Sequence, residues 1–403
     1  MKGMNILFAT TNTVVHRTLL LFFIFFTTTV LSGKCPDDCE CDELEKTVTC
    51  GGLLLLTLPD ILPSGYHTLI MRNTSIRSVP KNSFRRMDEL REVRFENSEQ
   101  LDQIDKFAFK GMKYIRLISF SNCPRLHEIC KGAFSGISNK QGLKIRFHET
   151  PIQRIHGGAF RHANNIRELS ISGSDLALSR HAFASITQLD FLTLSGVVMV
   201  EPQLFTNSTR FHIIHIKESQ FELTPETFEG LAHVHQLLIQ RCKISRIASG
   251  AFDGLHTVET IELFDNQINS LAARAFTGVV NLGRLRIARN MIKSLETTES
   301  ILSDAVQTRF EENTVDCGCH IKWMQAHPDR SLLDSNYCGS SGVYRSIHTF
   351  LRHHCENNYT SRSISTQASS RVDNGSINTK SNSQSMHHHY IILSMFYLIF
   401  VIC

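Results

Sequence analysis

The usual marks of catalysis are missing from this chain of 403 residues. There is no G-x-S-x-G to hold a nucleophilic serine on a strand-to-helix turn, no glycine-rich phosphate loop and no dinucleotide fingerprint. Neither an H-E-x-x-H frame nor a C-x-x-C pair accompanies the 20 histidines and 12 cysteines, which removes the commonest zinc and redox arrangements. His212 with His215, His233 with His235, and His387 to His389 are close in sequence, yet none stands near a second ligand pair, so they read as surface histidines. Charge of one sign is lacking too, since a net +4 is too small to suggest a nucleic-acid partner. These absences predict no enzyme, no cofactor and no metal.

What the chain has is a phenylalanine that returns every 22 to 26 residues: Phe84, Phe109, Phe134, Phe160, Phe183, Phe205, Phe228, Phe252 and Phe276. An aliphatic residue stands five positions before each of them. A short unit repeated at this period cannot bury its own apolar face and must stack on its neighbours, which predicts a solenoid. The clearest unit runs Val258, Ile261, Leu263, Asn266, Ile268, Leu271 and Phe276. Leu282, Leu285, Ile287, Asn290, Ile292 and Leu295 keep the same offsets, as do Val234, Leu237, Ile239, Cys242, Ile244, Ile247 and Phe252. In this pattern the chain resembles the leucine-rich repeat family from Leu69 to Leu295, with a degenerate last unit around Phe310, Asn313 and Val315. The resemblance implies an α/β solenoid, a horseshoe of about ten to eleven repeats over 65–302 with a parallel β-sheet on its concave face and disulfide-bonded caps.

Within a unit, alternation of period two sends Leu263 inward and Glu262 and Phe264 outward, as a short strand requires. The asparagine slot, occupied by Asn266, Asn290 and Asn313, satisfies buried backbone groups where the chain leaves the strand. Upstream it holds Thr74, Ser98, Cys123, Thr150, Ser174, Val197, Ser219 and Cys242, and Ser98 to Leu101 and Cys123 to Leu126 each contain an extra residue. Less regular curvature is therefore expected toward the N-terminal half.

The ends differ in composition from the repeats. Lys2, His16 and Arg17 precede an apolar run from Thr18 that ends at Ser32 and Gly33, which reads as a signal peptide over 1–33, the alternative being an N-terminal membrane anchor. Secretion makes the clustered cysteines disulfide candidates. Cys35, Cys39, Cys41 and Cys50 lie in a segment 34–64, and Cys317, Cys319, Cys338 and Cys355 in a segment 303–356; spacing alone permits three pairings of each set. Both segments are similar to the cysteine-rich caps of extracellular leucine-rich repeat proteins, and that similarity implies Cys35 with Cys41, Cys39 with Cys50, Cys317 with Cys338, and Cys319 with Cys355. Trp323, the only tryptophan, reads as a core residue of the second cap. Cys123 and Cys242 read as small buried thiols, with Cys130 either paired to Cys123 or free.

Residues 357–389 are rich in Ser, Asn and Thr and read as a stalk, and Tyr390 to Cys403 is an apolar tail. As a helix that tail spans roughly 21 Å, short of a ~30 Å hydrocarbon core. It is expected to be a glycosylphosphatidylinositol attachment signal, with Asn374 or Ser381 as the acceptor, or else a short membrane span. Sequons at Asn73, Asn207, Asn358 and Asn374 mark glycosylation sites, Asn374 only if it does not carry the anchor.

Strand positions facing outward alternate between charge, such as Arg284 and Arg286, and apolar residues, Leu117, Phe191, Ile213, Leu238 and Phe264. Read together, these features predict a cell-surface protein, held on the outer leaflet without a signalling domain of its own. It binds an extracellular or cell-surface protein through its concave face, in adhesion or as a co-receptor. The alternative is a soluble secreted carrier or matrix scaffold.

Overall fold

The computed structural model describes residues 34–184, 186–296, 305–327, 329–340 and 342–355. The expected leader 1–33, the stalk, the tail, Asn358, Asn374 and Ser381 lie outside the described residues.

Leucine and isoleucine at alternate positions make each unit's strand, because a pleated chain sends every second side chain to the same face. In Thr257–Phe264, Ile261 and Leu263 are buried while Glu262 and Phe264 stay half-buried on the other face. Twelve such strands run parallel in one sheet, from Thr47–Gly52 in the first cap to Gln307–Glu311. Consecutive coils keep like residues in register, as in Leu237 beside Ile261 beside Leu285. Cys39–Asp42 pairs antiparallel with Thr47–Gly52 and closes the N-terminal edge. After the strand the chain turns through the ladder slot, and in the later coils it forms a second short strand, as in Lys243–Ile247, Gln267–Leu271 and Met291–Leu295. A return turn carrying the recurrent phenylalanine then leads to the next coil. Among the described residues helix is confined to the C-terminal cap, at Cys319–Lys322, Trp323–Ala326, Ser331–Asp334 and Ile347–His354.

The nine landmark phenylalanines are buried and form one file of stacked rings, with centroids from 4.7 Å between Phe252 and Phe276 to 6.4 Å between Phe160 and Phe183. A second, shorter file, Phe95, Phe120 and Phe147, stacks beneath the N-terminal strands at 4.9 and 5.0 Å. Offset stacks of this kind add about 0.5–1.5 kcal/mol per pair beyond the area they bury.

The ladder slot works through both ends of its amide. Asn290 Oδ1 accepts the backbone N–H of Asn266 at 2.9 Å, and its Nδ2 donates to the Leu263 carbonyl at 2.8 Å. Asn266 treats Cys242 and Ile239 in the same way, and Asn313 treats Asn290 and Ile287. Asn336, which the repeat pattern does not single out, extends the ladder into the C-terminal cap by accepting from Asn313 N–H at 2.9 Å and donating to the Phe310 carbonyl at 2.7 Å. Upstream, hydroxyls substitute: Thr150 Oγ1 accepts from Cys123 N–H, and Ser219 Oγ accepts from Val197 N–H at 3.0 Å, so Val197 fills the slot with its backbone group satisfied by the next coil.

The residue before the slot is left-handed in coil after coil, with φ of 52° at Asn97, 52° at Arg241, 56° at Asp265 and 58° at Arg289. A left-handed side-chain residue costs about 1–2 kcal/mol. In return its N–H points at a carbonyl of the following coil, as Asn97 does to Ser121 at 2.9 Å and Arg289 to Glu311 at 3.2 Å.

One expectation, that Ser174 fills the ladder slot, is corrected by the register of the coils. Glu92–Glu96, Leu117–Ser121 and the start of Leu143–Ile155 pair in unbroken register, and the extra residues are absorbed in turns closed by Leu101 N–H to Ser98 O and Leu126 N–H to Cys123 O. The register shifts instead between Leu143–Ile155, Ile166–Leu178 and Gln188–Val200. Ser174 is exposed there and does not fill the slot. Glycine is required at this place, since a β-carbon on Gly196, where φ is 72°, would lie 2.1 Å from the Gly173 carbonyl oxygen.

Disulfides close both caps: Cys35–Cys41, Cys39–Cys50, Cys317–Cys338 and Cys319–Cys355. Trp323 packs half-buried against the core, with its indole nitrogen buried and without a hydrogen-bond partner. Cys123 and Cys242 are buried free thiols; Cys130 is neither bonded to Cys123 nor free, since it is itself disulfide-bonded.

Replacing Asn290 by alanine leaves the Asn266 N–H and the Leu263 carbonyl buried without partners, which predicts a loss of about 2–4 kcal/mol and a lower melting midpoint by circular dichroism. Burial pushes the Cys123 and Cys242 thiols up to about 11. Both are therefore expected to resist alkylation in the native protein at pH 8 and to react after denaturation. The unfolded chain releases these protons first, so their contribution to stability is intact below the ordinary thiol value of 9.0 and is lost as pH rises toward about 11, checked by melting across that range.

Candidate protein-interaction face

Three outward positions per strand form columns across the concave sheet. The first runs Glu92, Leu117, Lys144, Glu168, Phe191, Ile213, Gln236, Thr260 and Arg284. The second includes Arg94, Ser119, Arg146, Ser170, Thr193, His215, Leu238, Glu262 and Arg286, and the third ends with Gln240, Phe264, Ala288 and Glu311.

The five apolar residues expected on this face do not make one lateral stripe. Leu117 is half-buried between Glu92 and Lys144, three coils from the nearest of the others. Phe191, 47% exposed, lies directly beside Ile213; Leu238 is displaced by one column and Phe264 by another, so these four step diagonally over four successive coils. Phe264 is covered by arginine, with the guanidinium carbons of Arg286 and Arg289 at 5.4 and 4.6 Å from its ring.

Charged residues sit at the two ends of the face and pair across adjacent strands. Toward the N-terminus Arg72 meets Glu96 at 2.8 Å, and Arg146 and Lys144 meet Glu168 at 2.6 and 3.5 Å. The hydrogen bond from Arg146 holds the Glu168 carboxyl below its usual range. Arg241 meets Glu218 at 2.7 Å at the ladder ends of the strands that carry His215 and Leu238; toward the C-terminus Arg289 meets Asp265 at 2.8 Å, and Arg286 lies between Glu262 and Glu311 at 3.7 and 3.1 Å. Arg284 donates to Gln307 Oε1 at 3.2 Å. Arg284 and Arg286, which the sequence places on the outward face, are thus matched by an amide and by carboxylates.

Between these ends lies a window nearly free of charge: Ser170, Ser172, Phe191, Thr193, Ser195, Ile213, His215, Gln236, Leu238 and Gln240, with Lys217 as its one cation. His215, at its centre, is half-buried, and its Nε2 is buried with no hydrogen-bond partner. Burial first, and then the nearby Lys217 ammonium, hold this imidazole below its ordinary value, which keeps it neutral at pH 7. No signal in the sequence distinguishes His215 from the other histidines; only packing between Thr193 and Leu238 does so.

His212 and His235 stack at 4.4 Å beside the window, and His235 Nδ1 meets Glu259 at 2.7 Å. His233 lies in the strand Leu231–Gln240, not in a turn. No group of three or more potential metal ligands occurs among the described residues. Asn73 and Asn207 are both exposed. At the first cap Leu53, Leu54 and Leu56 are 77%, 93% and 67% exposed, an apolar rim outside the repeat register that the run of leucines in the sequence marks.

Residues 67–190 match the family described as BspA type leucine rich repeat region, in 6 copies, and residues 232–292 match the leucine rich repeat. No curated protein matches the chain. Among solved structures it is similar to human 5T4 (Wnt-activated inhibitory factor 1, trophoblast glycoprotein), with 18% identity over 75% of this chain and 98% of that one and a TM-score of 0.37. It is also similar to a chain in the octameric complex of latrophilin 3, Unc5D and FLRT2, with 19% identity over 76% of this chain and 92% of that one and a TM-score of 0.44. With the parallel register and the asparagine ladder already in place, these two matches mark residues 67–190 and 232–292 as leucine-rich repeat sequence.

Proposed function

We propose that this chain is a recognition protein of the cell surface or extracellular space that binds another extracellular protein through the middle of its concave sheet. The carrying observation is the nearly uncharged window around Phe191, Ile213, His215 and Leu238, with cross-strand ion pairs on either side of it, Arg146 with Glu168 and Arg286 with Glu262 and Glu311. Interfaces have this make-up, with an apolar and aromatic centre depleted of charge and a polar rim. Several coils at about 4.8 Å spacing give it a width of roughly 20 Å, enough for a small set of dominant contacts. An exposed Phe191 is the natural anchor. The disulfides that close both caps support an oxidising compartment. Adhesion or co-receptor activity is the role this surface serves. The composition of 357–403 supports attachment to the outer leaflet through a lipid anchor.

A screen of the ectodomain against extracellular proteins identifies the partner. Phe191→Asp combined with Leu238→Asp is then expected to weaken capture about tenfold or more, while secretion and melting temperature stay unchanged because neither side chain lines the core. Unchanged capture would place the site elsewhere. For the anchor, phosphatidylinositol-specific phospholipase is expected to free the protein from intact cells; protein that stays on the cells speaks for a membrane span, and protein already in the medium for a soluble carrier.

A further inference from the structure

The return turns, on the other side of each coil from the ladder, carry a second ordered surface. Lys81, Lys106 and Lys131 stand two residues after Val79, Ile104 and Ile129 in three successive coils, and Arg180 takes the same place after Leu178. Arg85, Lys110 and Arg161 each follow a stacked phenylalanine by one residue. All seven are exposed, and among the described residues none of their side chains forms an ion pair. Of the acids near these turns, Glu89 accepts from the Gly65 N–H at 2.7 Å and Asp105 from Gln103 at 2.9 Å, while Asp88 is exposed and Asp60 shares a hollow with Lys81 and Arg85. In the later coils the same places hold Pro202, Pro225, Glu229 and Asp253, with Glu201 and Glu226 alongside, so the edge changes sign near Arg180.

The cations do not splay apart. Lys81, Lys106 and Lys110 bring their Nζ atoms to 5.9, 5.0 and 5.4 Å from the ring of Phe107. Lys106 and Lys110 lay their stems over Gly132 and Gly136 of the next coil, where a β-carbon would come within 2.8 and 3.1 Å of a lysine Cγ. Phe107 itself has φ of 66°, in a slot that is left-handed in many coils, at Asn82, Gly132, Gly158, His181 and Gln203, because each N–H there must reach the following coil's carbonyl. Here the ring gathers three ammonium groups that would otherwise repel.

We infer that this basic ridge binds a linear sulfated glycan laid along the return edge of the N-terminal coils. Closely held cations of one sign, in a row, match a chain with regularly spaced anionic groups. A membrane is the poorer fit, since Phe107, the ring among these cations, is half-buried beneath lysines. This site is separate from the concave window, and either can fail without the other.

The test is retention of the secreted ectodomain on immobilised heparin at 0.15 M salt, beside vesicles of phosphatidylserine and phosphatidylcholine. Lys81→Glu with Lys106→Glu and Lys110→Glu is expected to weaken heparin binding about tenfold or more. Lys243→Glu with Lys293→Glu and Lys322→Glu makes the same change of net charge on exposed residues elsewhere and is expected to bind as the parent does. Matching melting temperatures for both variants show that the fold is kept. Failure of the parent to bind heparin, an equal loss in both variants, or binding to anionic vesicles alone overturns the inference.

Discussion

A coil of this protein has no inside until another coil lies against it. Everything else follows from that dependence: one side chain of each strand pair, one phenylalanine and one ladder residue per coil are buried only by their neighbours' equivalents. The backbone carries the same dependence. Left-handed residues at the ladder turn and at the return turn aim their N–H groups at the carbonyls of the following coil, so each turn is completed by the next. Stability in such a stack is a sum over neighbouring pairs, and the first and last coils are the weak members. Both ends are therefore closed covalently, with Cys50 of one disulfide and Cys338 of another fully buried against the terminal coils.

Because the bonds that hold the stack run inside it, the outward columns are released from structural duty and can differ from coil to coil. Their ion pairs are partly exposed, and pairs of that kind contribute only about 0–1 kcal/mol each. Their larger effect is on the field above the sheet. By matching charge at both ends they leave the centre, around Phe191 and His215, as the place where a partner loses least in desolvation. The return edge shows the opposite arrangement, with lysines gathered on Phe107.

The repeat, the spine of phenylalanines and the inward residues such as Leu263 were legible in the chain because they obey one period, and a period survives without coordinates. The ladder was legible only where it is asparagine. Ser174 holds the right offset yet stands in solvent, because glycine at Gly173 and Gly196 lets the backbones close together and shifts the register. Asn336 was hidden for the converse reason: its coil is a cap whose remaining pattern is cysteine and helix, although the spacing of 23 residues from Asn313 is that of a repeat.

By itself, then, the sequence determined the class of fold, the inward and outward faces of each strand, and which segments must close its ends, since all of these depend on periodicity along one chain. The tertiary structure alone decided which outward residues become neighbours. Lateral contact joins residues some 22 to 28 positions apart, and a shift of one column separates Leu238 from Ile213 or sets Arg286 between two glutamates. Surface chemistry in a solenoid is read across the coils, and that direction has no counterpart in the linear chain.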